Sequence, residues 1–344
     1  MRIYLLYVYI RRLPMRRILL ALSISLICPI ALGAPAVTSA SISGTTNSIV
    51  ITGTGFGGTN PMMFWDDVSD AFSVSNLKSG DVVPASSTTK WGENTNIYGE
   101  PITFLQTDKT RSRKTEAIYY GAGHKSFLGV PKYTGTATVY DTMYVSWWYK
   151  PSISPSAEGG SNKFLRIWDD ANGGGTRISW TQMHLTCGDA VFWKDWTGKV
   201  GEWNHHEFYV NLAQKKVVSK INGKVQHDVA CEKSPNFPAK PIFLALVGFD
   251  HGMSAYQTMK TSMDDIYVSN SPARVVISES PTWNTAIETE ILPIKTWATD
   301  KIEAGFVSGN IRLSGNIYLY VVDQTGGVNA TGYKVKCPTC PVMK

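Results

Sequence analysis

Gly201-Glu-Trp-Asn-His-His-Glu-Phe-Tyr-Val-Asn211, followed by Ile221-Asn-Gly-Lys224, decides the fold. The run through Glu207-Phe-Tyr-Val-Asn-Leu212 alternates in polarity as a half-buried strand does. Asn222-Gly223 then separates Val217–Ile221 from Lys224–Val229 and reads as a tight hairpin, whose primed turn needs positive φ at both central residues. Outward from this stretch the same grammar repeats. Tyr144–Tyr149, Lys163–Trp168, Arg177–Leu185 and Ile242–Val247 are short apolar or alternating runs, broken by Gly159-Gly-Ser-Asn162 and Asn172-Gly-Gly-Gly175. Helical periodicity is nearly absent. An all-β chain built of sandwiched sheets is the expectation.

The N-terminal segment reads as an export signal. Arg16 and Arg17 precede an apolar run from Ile18 to Ile27, and Ala31-Leu-Gly-Ala34 offers small residues at a cleavage spacing. The run is about half of the ~20 residues a spanning helix needs. Met15 is an internal candidate start, with Arg2, Arg11 and Arg12 ahead of it. Residues 1–34 hold five arginines and no acid, so their removal turns 33 Lys+Arg against 27 Asp+Glu into 28 against 27. The remainder is close to neutral, which gives no reason to expect nucleic acid or membrane insertion after signal cleavage.

Export makes disulfides the default for the cysteines. Cys28 lies in the signal, Cys187 and Cys231 are expected to pair, and Cys337 with Cys340 forms a separate tail at residues 337–344. A Cys187–Cys231 bridge would close a loop of ~45 residues. Adjacent strands are expected to bring the two together.

Two resemblances organise the rest. Ala36–Ser43 and Ser48-Ile-Val-Ile-Thr-Gly-Thr-Gly-Phe-Gly57 resemble the opening of an IPT/TIG domain, an immunoglobulin-like fold. Thr282–Ile287 and Ile317–Asn329, ending at Gly332–Val335, look like that family's closing strands. This implies one Ig-like domain, 35–62 and 276–336, split around residues 63–275; three successive modules are the plainer arrangement. The 63–275 segment resembles a concanavalin A-like jelly roll of the laminin-G and polysaccharide-lyase kind. Phe64-Trp-Asp-Asp67, the Gly201–Lys224 stretch and Met263-Asp-Asp-Ile-Tyr-Val268 carry that resemblance. Such folds host lectins, lyases, hydrolases and adhesion modules, so function has to come from a site.

The chain has 11 Trp and 16 Tyr. Trp147 and Trp148 point to opposite faces by strand periodicity, so one of them must face something other than the core. Trp180, Gln182 and His184 alternate, as do Phe164, Arg166 and Trp168. Each set is expected on one face, with Arg166, Trp168, Trp180, Gln182 and His184 lining a groove. Flat rings beside planar donors are what a sugar needs. Gln182-Met-His184 also resembles the Gln-x-His strand of jelly-roll alginate lyases, which implies β-elimination with Gln182, His184 and Arg166 at the uronate. The chain departs from that family where Arg113 and Glu116 lack its Arg-x-Glu-x-Arg spacing, and where Tyr267 sits on the jelly roll's exit strand. His205 and His206 face opposite sides of their strand.

A carboxylate pair of the glycosidase kind is not legible, since Glu207 stands alone on its strand. Asp66-Asp67 and Asp264-Asp265 would be neighbours if the first and last jelly-roll strands pair, and together they would suit a structural Ca²⁺; strand-end capping is the other use of such residues. No other cofactor is implied. The expectation is a secreted or surface glycan-binding protein whose partner is a polysaccharide or glycoconjugate. A lyase on an acidic glycan and a non-catalytic adhesion module are the competing readings.

Overall fold

The computed structural model describes residues 33–335, apart from 44–46, 70–75, 95–100, 107–110, 112–116, 123–124, 135–139, 157–161, 170–176, 232–236, 239–240, 251–255 and 287–288. Residues 1–32, most of the expected export signal with Cys28, and Arg113, Glu116, Cys337 and Cys340 lie outside the described residues. The first strands are β1 (Ala36–Ser43), β2 (Ser48–Thr54), β3 (Met62–Asp66), β4 (Trp91–Asn94), β5 (Thr103–Gln106), β6 (Ala117–Ala122), β7 (Lys125–Pro131) and β8 (Thr142–Pro151). The middle of the chain gives β9 (Lys163–Asp169), β10 (Arg177–Thr181), β11 (His184–Cys187), β12 (Ala190–Trp193), β13 (Asn204–Asn211), β14 (Lys216–Ile221), β15 (Lys224–Ala230) and β16 (Ile242–Asp250). Then come β17 (Lys260–Ser269), β18 (Arg274–Ser278), β19 (Thr289–Leu292), β20 (Ile294–Trp297), β21 (Lys301–Gly305), β22 (Ile317–Val322) and β23 (Tyr333–Val335).

The strands assemble into two sandwiches. In the larger, an eight-stranded sheet of order β15-β14-β13-β8-β17-β6-β5, with β3 beside β17, faces a seven-stranded sheet of order β12-β11-β10-β9-β16-β7-β4. Opening and closing strands pair here, with Asp66 opposite Ile266. Trp147, Phe164, Ile178, Trp180, Phe208 and Leu244 fill the space between the sheets. The smaller sandwich joins β1-β2-β21-β20 to β19-β18-β22-β23. It is discontinuous in sequence, because β2 pairs with β21 from Ser48↔Gly305 to Thr52↔Lys301. Ile49, Ile51, Val275, Ile277, Leu292 and Leu319 form its own core.

The hairpin at Asn222-Gly223 has φ of 51° and 74°, both in the left-handed region a primed turn requires. Asn222 Oδ1 also accepts from the His205 amide at 2.8 Å, tying the turn back to β13.

Three local expectations are corrected. Arg177–Leu185 is two strands, β10 and β11, joined at Gln182-Met183, with Trp180 opposite Leu185. A two-residue turn puts its flanking residues, Thr181 and His184, on one face, and therefore Trp180 and His184 on opposite faces. Thr282–Ile287 holds a 3₁₀ turn at Trp283–Thr285 where a strand was expected. Cys187 and Cys231 do pair, with Cα atoms 6.0 Å apart. Their bridge crosses between the sheets, since Cys187 ends β11 of the seven-stranded sheet and Cys231 follows β15 of the eight-stranded one.

Candidate functional site

Strands β8 and β13 are buried on both faces, a pattern a two-layer sandwich alone does not impose. One face joins the core: Trp147 packs edge-on to Trp180 and His206, and Trp196 Nε1 donates to His206 Nε2 at 3.0 Å. The other face, carrying Tyr144, Ser146, Trp148, His205, Glu207 and Tyr209, lies beneath the small sandwich. Register places Glu207 opposite Ser146, His205 opposite Trp148 and Tyr209 opposite Tyr144. Cross-strand neighbours at this spacing touch directly.

Glu207 is the centre of this face. Tyr144 donates its hydroxyl to Oε1 at 2.7 Å, and Arg274, from β18 of the small sandwich, donates Nη2 to the same oxygen at 3.2 Å. Burial alone would raise the Glu207 carboxyl, but Arg274, nearby Lys220 and the Tyr144 hydrogen bond outweigh it and hold the pKa at about 2. Tyr144 moves the other way: burial, and then the Glu207 charge, push its hydroxyl well above the ordinary range. The guanidinium of Arg274 lies 4.5 Å above the Tyr144 ring and 5.8 Å from that of Trp283. Ser146 Oγ and His205 Nε2 are 2.6 Å apart, and burial lowers His205 to about 4, so its imidazole is neutral at pH 7. Its ring stacks on Trp148 at 4.9 Å, and the Arg111 guanidinium sits 4.3 Å over the same indole. Arg111 also joins the sandwiches, contacting Asp265 of β17 and Glu290 of β19.

Around this network the two sandwiches leave space. A cleft of about 490 Å³ is lined by Tyr144, Tyr209, Asn211, Lys220, Arg274 and Trp283 among others. A smaller one of about 190 Å³ shares Glu207, Lys220, Arg274 and Trp283 with it and reaches His205. A third, of about 400 Å³, lies beside Trp148, Trp203, Asn222 and Lys224. Ring faces next to amide, ammonium and guanidinium donors can bind a polyhydroxylated ligand. At neutral pH Glu207 is held ionised and Tyr144 protonated.

The residues singled out in the sequence lie elsewhere. Trp180 is only 2% exposed and packs among Phe164, His206 and Phe208 in the core, contrary to a groove position. Phe164 joins it there, through a register shift between β9 and β10. Gln182 is buried in the turn, its Oε1 accepting from the Asn162 amide at 2.8 Å. Arg166 and Trp168 share the outer face of the seven-stranded sheet with His184 by cross-strand register. Trp168 lies 6.2 Å from Phe243, and the His184 ring lies 4.8 Å from that of Trp193. Burial, then the Lys163 charge, lower the His184 pKa. Of the trio, Arg166 and His184 thus share one face, while Gln182 is buried in the turn.

Of the four acidic residues, Asp67, Asp264 and Asp265 cluster, with one carboxylate oxygen from each within 4.8 Å of the others. Asp66 turns away, accepting from Tyr119 at 2.6 Å, Trp91 at 2.7 Å and Lys90 at 2.8 Å. A cation fits the remaining three poorly. Arg111 already pairs with Asp265, and burial, opposed by Arg111, raises Asp264 to about 8, which keeps it largely protonated at pH 7. What the sequence did not single out is Tyr144, Lys220, Arg274 and Trp283. The one available signal was Arg274, a charge opening the apolar run Val275-Val-Ile277.

No protein-family model matches the chain, and no curated protein matches it. Among solved structures, it is similar to domain 4 of an extracellular GH43 arabinanase from Geobacillus stearothermophilus, with a TM-score of 0.38 and 17% identity over 62% of this chain and 93% of that one. A sialidase superposes with a TM-score of 0.36 and 11% identity, covering 66% of this chain and 21% of the sialidase. The alginate lyase from Corynebacterium sp. gives 0.32 and 14% identity, over 48% and 79% respectively. Superposition this loose carries no ligand, activity or residue role from those proteins to this chain. Among the described residues, no helix is long and apolar enough to cross a membrane.

Proposed function

We propose that the protein is an exported, non-catalytic glycan-binding protein whose site is the cleft between the eight-stranded sheet and the small sandwich. On this reading residues 35–62 and 276–336 form one Ig-like unit of the IPT/TIG kind, and residues 63–275 the jelly roll that it roofs. The supporting observation is the cleft of about 490 Å³, in which Trp283 and Tyr209 offer half-buried rings beside Asn211, Gln214 and Lys220. Pockets of this size with a few convergent polar groups suit small ligands or segments of larger ones. Glu207, Tyr144 and Arg274 hold the two walls in register and need not exchange protons. The buried Cys187–Cys231 bridge accords with an oxidising compartment. No calcium is required, because Arg111 already supplies positive charge to the acidic cluster.

Trp283→Ala is the direct test, compared with Trp193→Ala by calorimetry on a panel of neutral and uronate oligosaccharides. Loss of ring contact at Trp283 should weaken binding at least tenfold, about 1.4 kcal/mol, while Trp193→Ala leaves it unchanged. The reverse pattern would move the site to the outer face of the seven-stranded sheet. Appearance of an ultraviolet-absorbing unsaturated product would replace binding by β-elimination, and absence of any glycan binding would favour adhesion to protein.

A further inference from the structure

Three cavities border β14 and its hairpin. The first and second share Glu207, Lys220, Arg274 and Trp283. The second reaches Gly223 and the third its chain neighbours Asn222 and Lys224. They run along β14 and round its hairpin, from Lys216 at one end to Asn222 at the other. At ~3.3 Å per residue this is about 20 Å, long enough for several linked sugar rings.

The charges along the line are unequally matched. Each of its acids already has a cation: Glu207 has Arg274 at 3.2 Å, Glu202 has Lys199 at 3.1 Å and Glu290 has Arg111 at 2.5 Å. Lys216 is paired with Asp228 at 3.0 Å. Among the described residues, Lys220 and Lys224 make no ion pair, and both line the cavities. Lys220 is half-buried and Lys224 exposed. Lys220 helps to hold Glu207 ionised without a close ion pair, and the lining carries Lys199, Lys216, Lys220, Lys224 and Arg274 against Glu202, Glu207 and Glu290, so the groove is electropositive although the body of the chain is nearly neutral.

We infer that this groove binds an anionic polysaccharide as an extended chain, with acidic groups of its sugars against Lys220 and Lys224 and a ring against Trp283. The inference rests on the glycan-binding reading and adds ligand charge and ligand length to it. An anionic chain gains two charge-assisted contacts that a neutral one lacks, and a single sugar reaches only part of the line. Carboxylate and sulfate ester groups share the required chemistry.

The test uses the full exported chain and calorimetry with three probes: galacturonate oligomers of increasing length, their carboxyl-reduced neutral counterparts, and a sulfated galactan. Affinity for the galacturonates should rise with length to a plateau and fall with added salt, and the neutral series should bind more weakly. Lys220→Gln/Lys224→Gln should weaken galacturonate binding roughly tenfold, the product of two partly exposed ion pairs, and weaken the neutral series by a much smaller factor. Tighter binding of the sulfated galactan than of any galacturonate would assign the acidic group to sulfate. Equal, salt-independent binding of charged and neutral oligomers overturns the inference and leaves glycan binding standing. So does an unaltered double variant, and a monosaccharide that binds as tightly as a long oligomer removes the extended mode. Poly-glutamate bound as tightly as polygalacturonate, or no glycan bound at all, overturns the inference and the glycan reading together.

Discussion

Glu207 shows how one residue can be legible in sequence and its role not. Its place on an alternating strand follows from the pattern of Glu207–Leu212, but nothing in the chain announces that Arg274, from another sandwich, will close over it. The pair is buried, with side-chain exposures of 7% for Arg274 and 10% for Glu207. Removing one partner of such a pair leaves an uncompensated charge. Arg274→Ala should therefore cost about 3–5 kcal/mol in chemical denaturation at neutral pH. Because the folded Glu207 pKa is depressed from 4.5 to about 2, its contribution is present above 4.5 and lost as pH falls through about 2. The gap between variant and wild type should accordingly narrow across that window. A cost below about 1 kcal/mol, or one independent of pH in that range, would mean the pair holds nothing. The neighbouring Trp147 and Trp148 were legible as a split pair. That Trp148 would lie between His205 and Arg111 was not, because only the tertiary structure brings Arg111 there.

At the level of elements, turn chemistry decided which readings survived. Asn222-Gly223 names its own turn type, so the β14–β15 hairpin was visible from two residues. Gln182-Met183 carries no such mark. Without a glycine or asparagine to punctuate it, the run Arg177–Leu185 reads as a single strand, and one missed turn inverts the facing of every residue beyond it. That inversion separates Trp180, in the core, from His184 on the outer face, and with them the expected sugar face. The disulfide was legible as a pairing and not as a geometry: it staples β11, the second strand of one sheet, to the segment that follows β15, the edge strand of the other. Closing a loop of ~45 residues, it should contribute about 4 kcal/mol. Cys187→Ala/Cys231→Ala should lower the denaturation free energy by about that amount, with the sandwich still folded by circular dichroism. A loss under about 1 kcal/mol would show the sheets need no staple.

For the whole molecule, the split sandwich could be read because Ser48–Gly57 supplies opening strands whose partners are missing nearby. The β2–β21 pairing supplies them from the far end of the chain. The cleft could not be read at all. It arises where β18 and the turn at Trp283–Thr285 dock on the outer face of β8 and β13, and no local pattern encodes a surface shared by segments so far apart in sequence. That docking is also why β8 and β13 are buried on both faces. The central claim is that this shared surface is where glycan binds. Hydroxyl-radical footprinting with and without a saturating oligosaccharide tests it most directly, reading side-chain oxidation of Trp283 against that of Trp193. The account expects the ligand to protect Trp283 and to leave Trp193, 68% exposed on the opposite sheet, as reactive as before. Protection of Trp193 with Trp283 unchanged would contradict it.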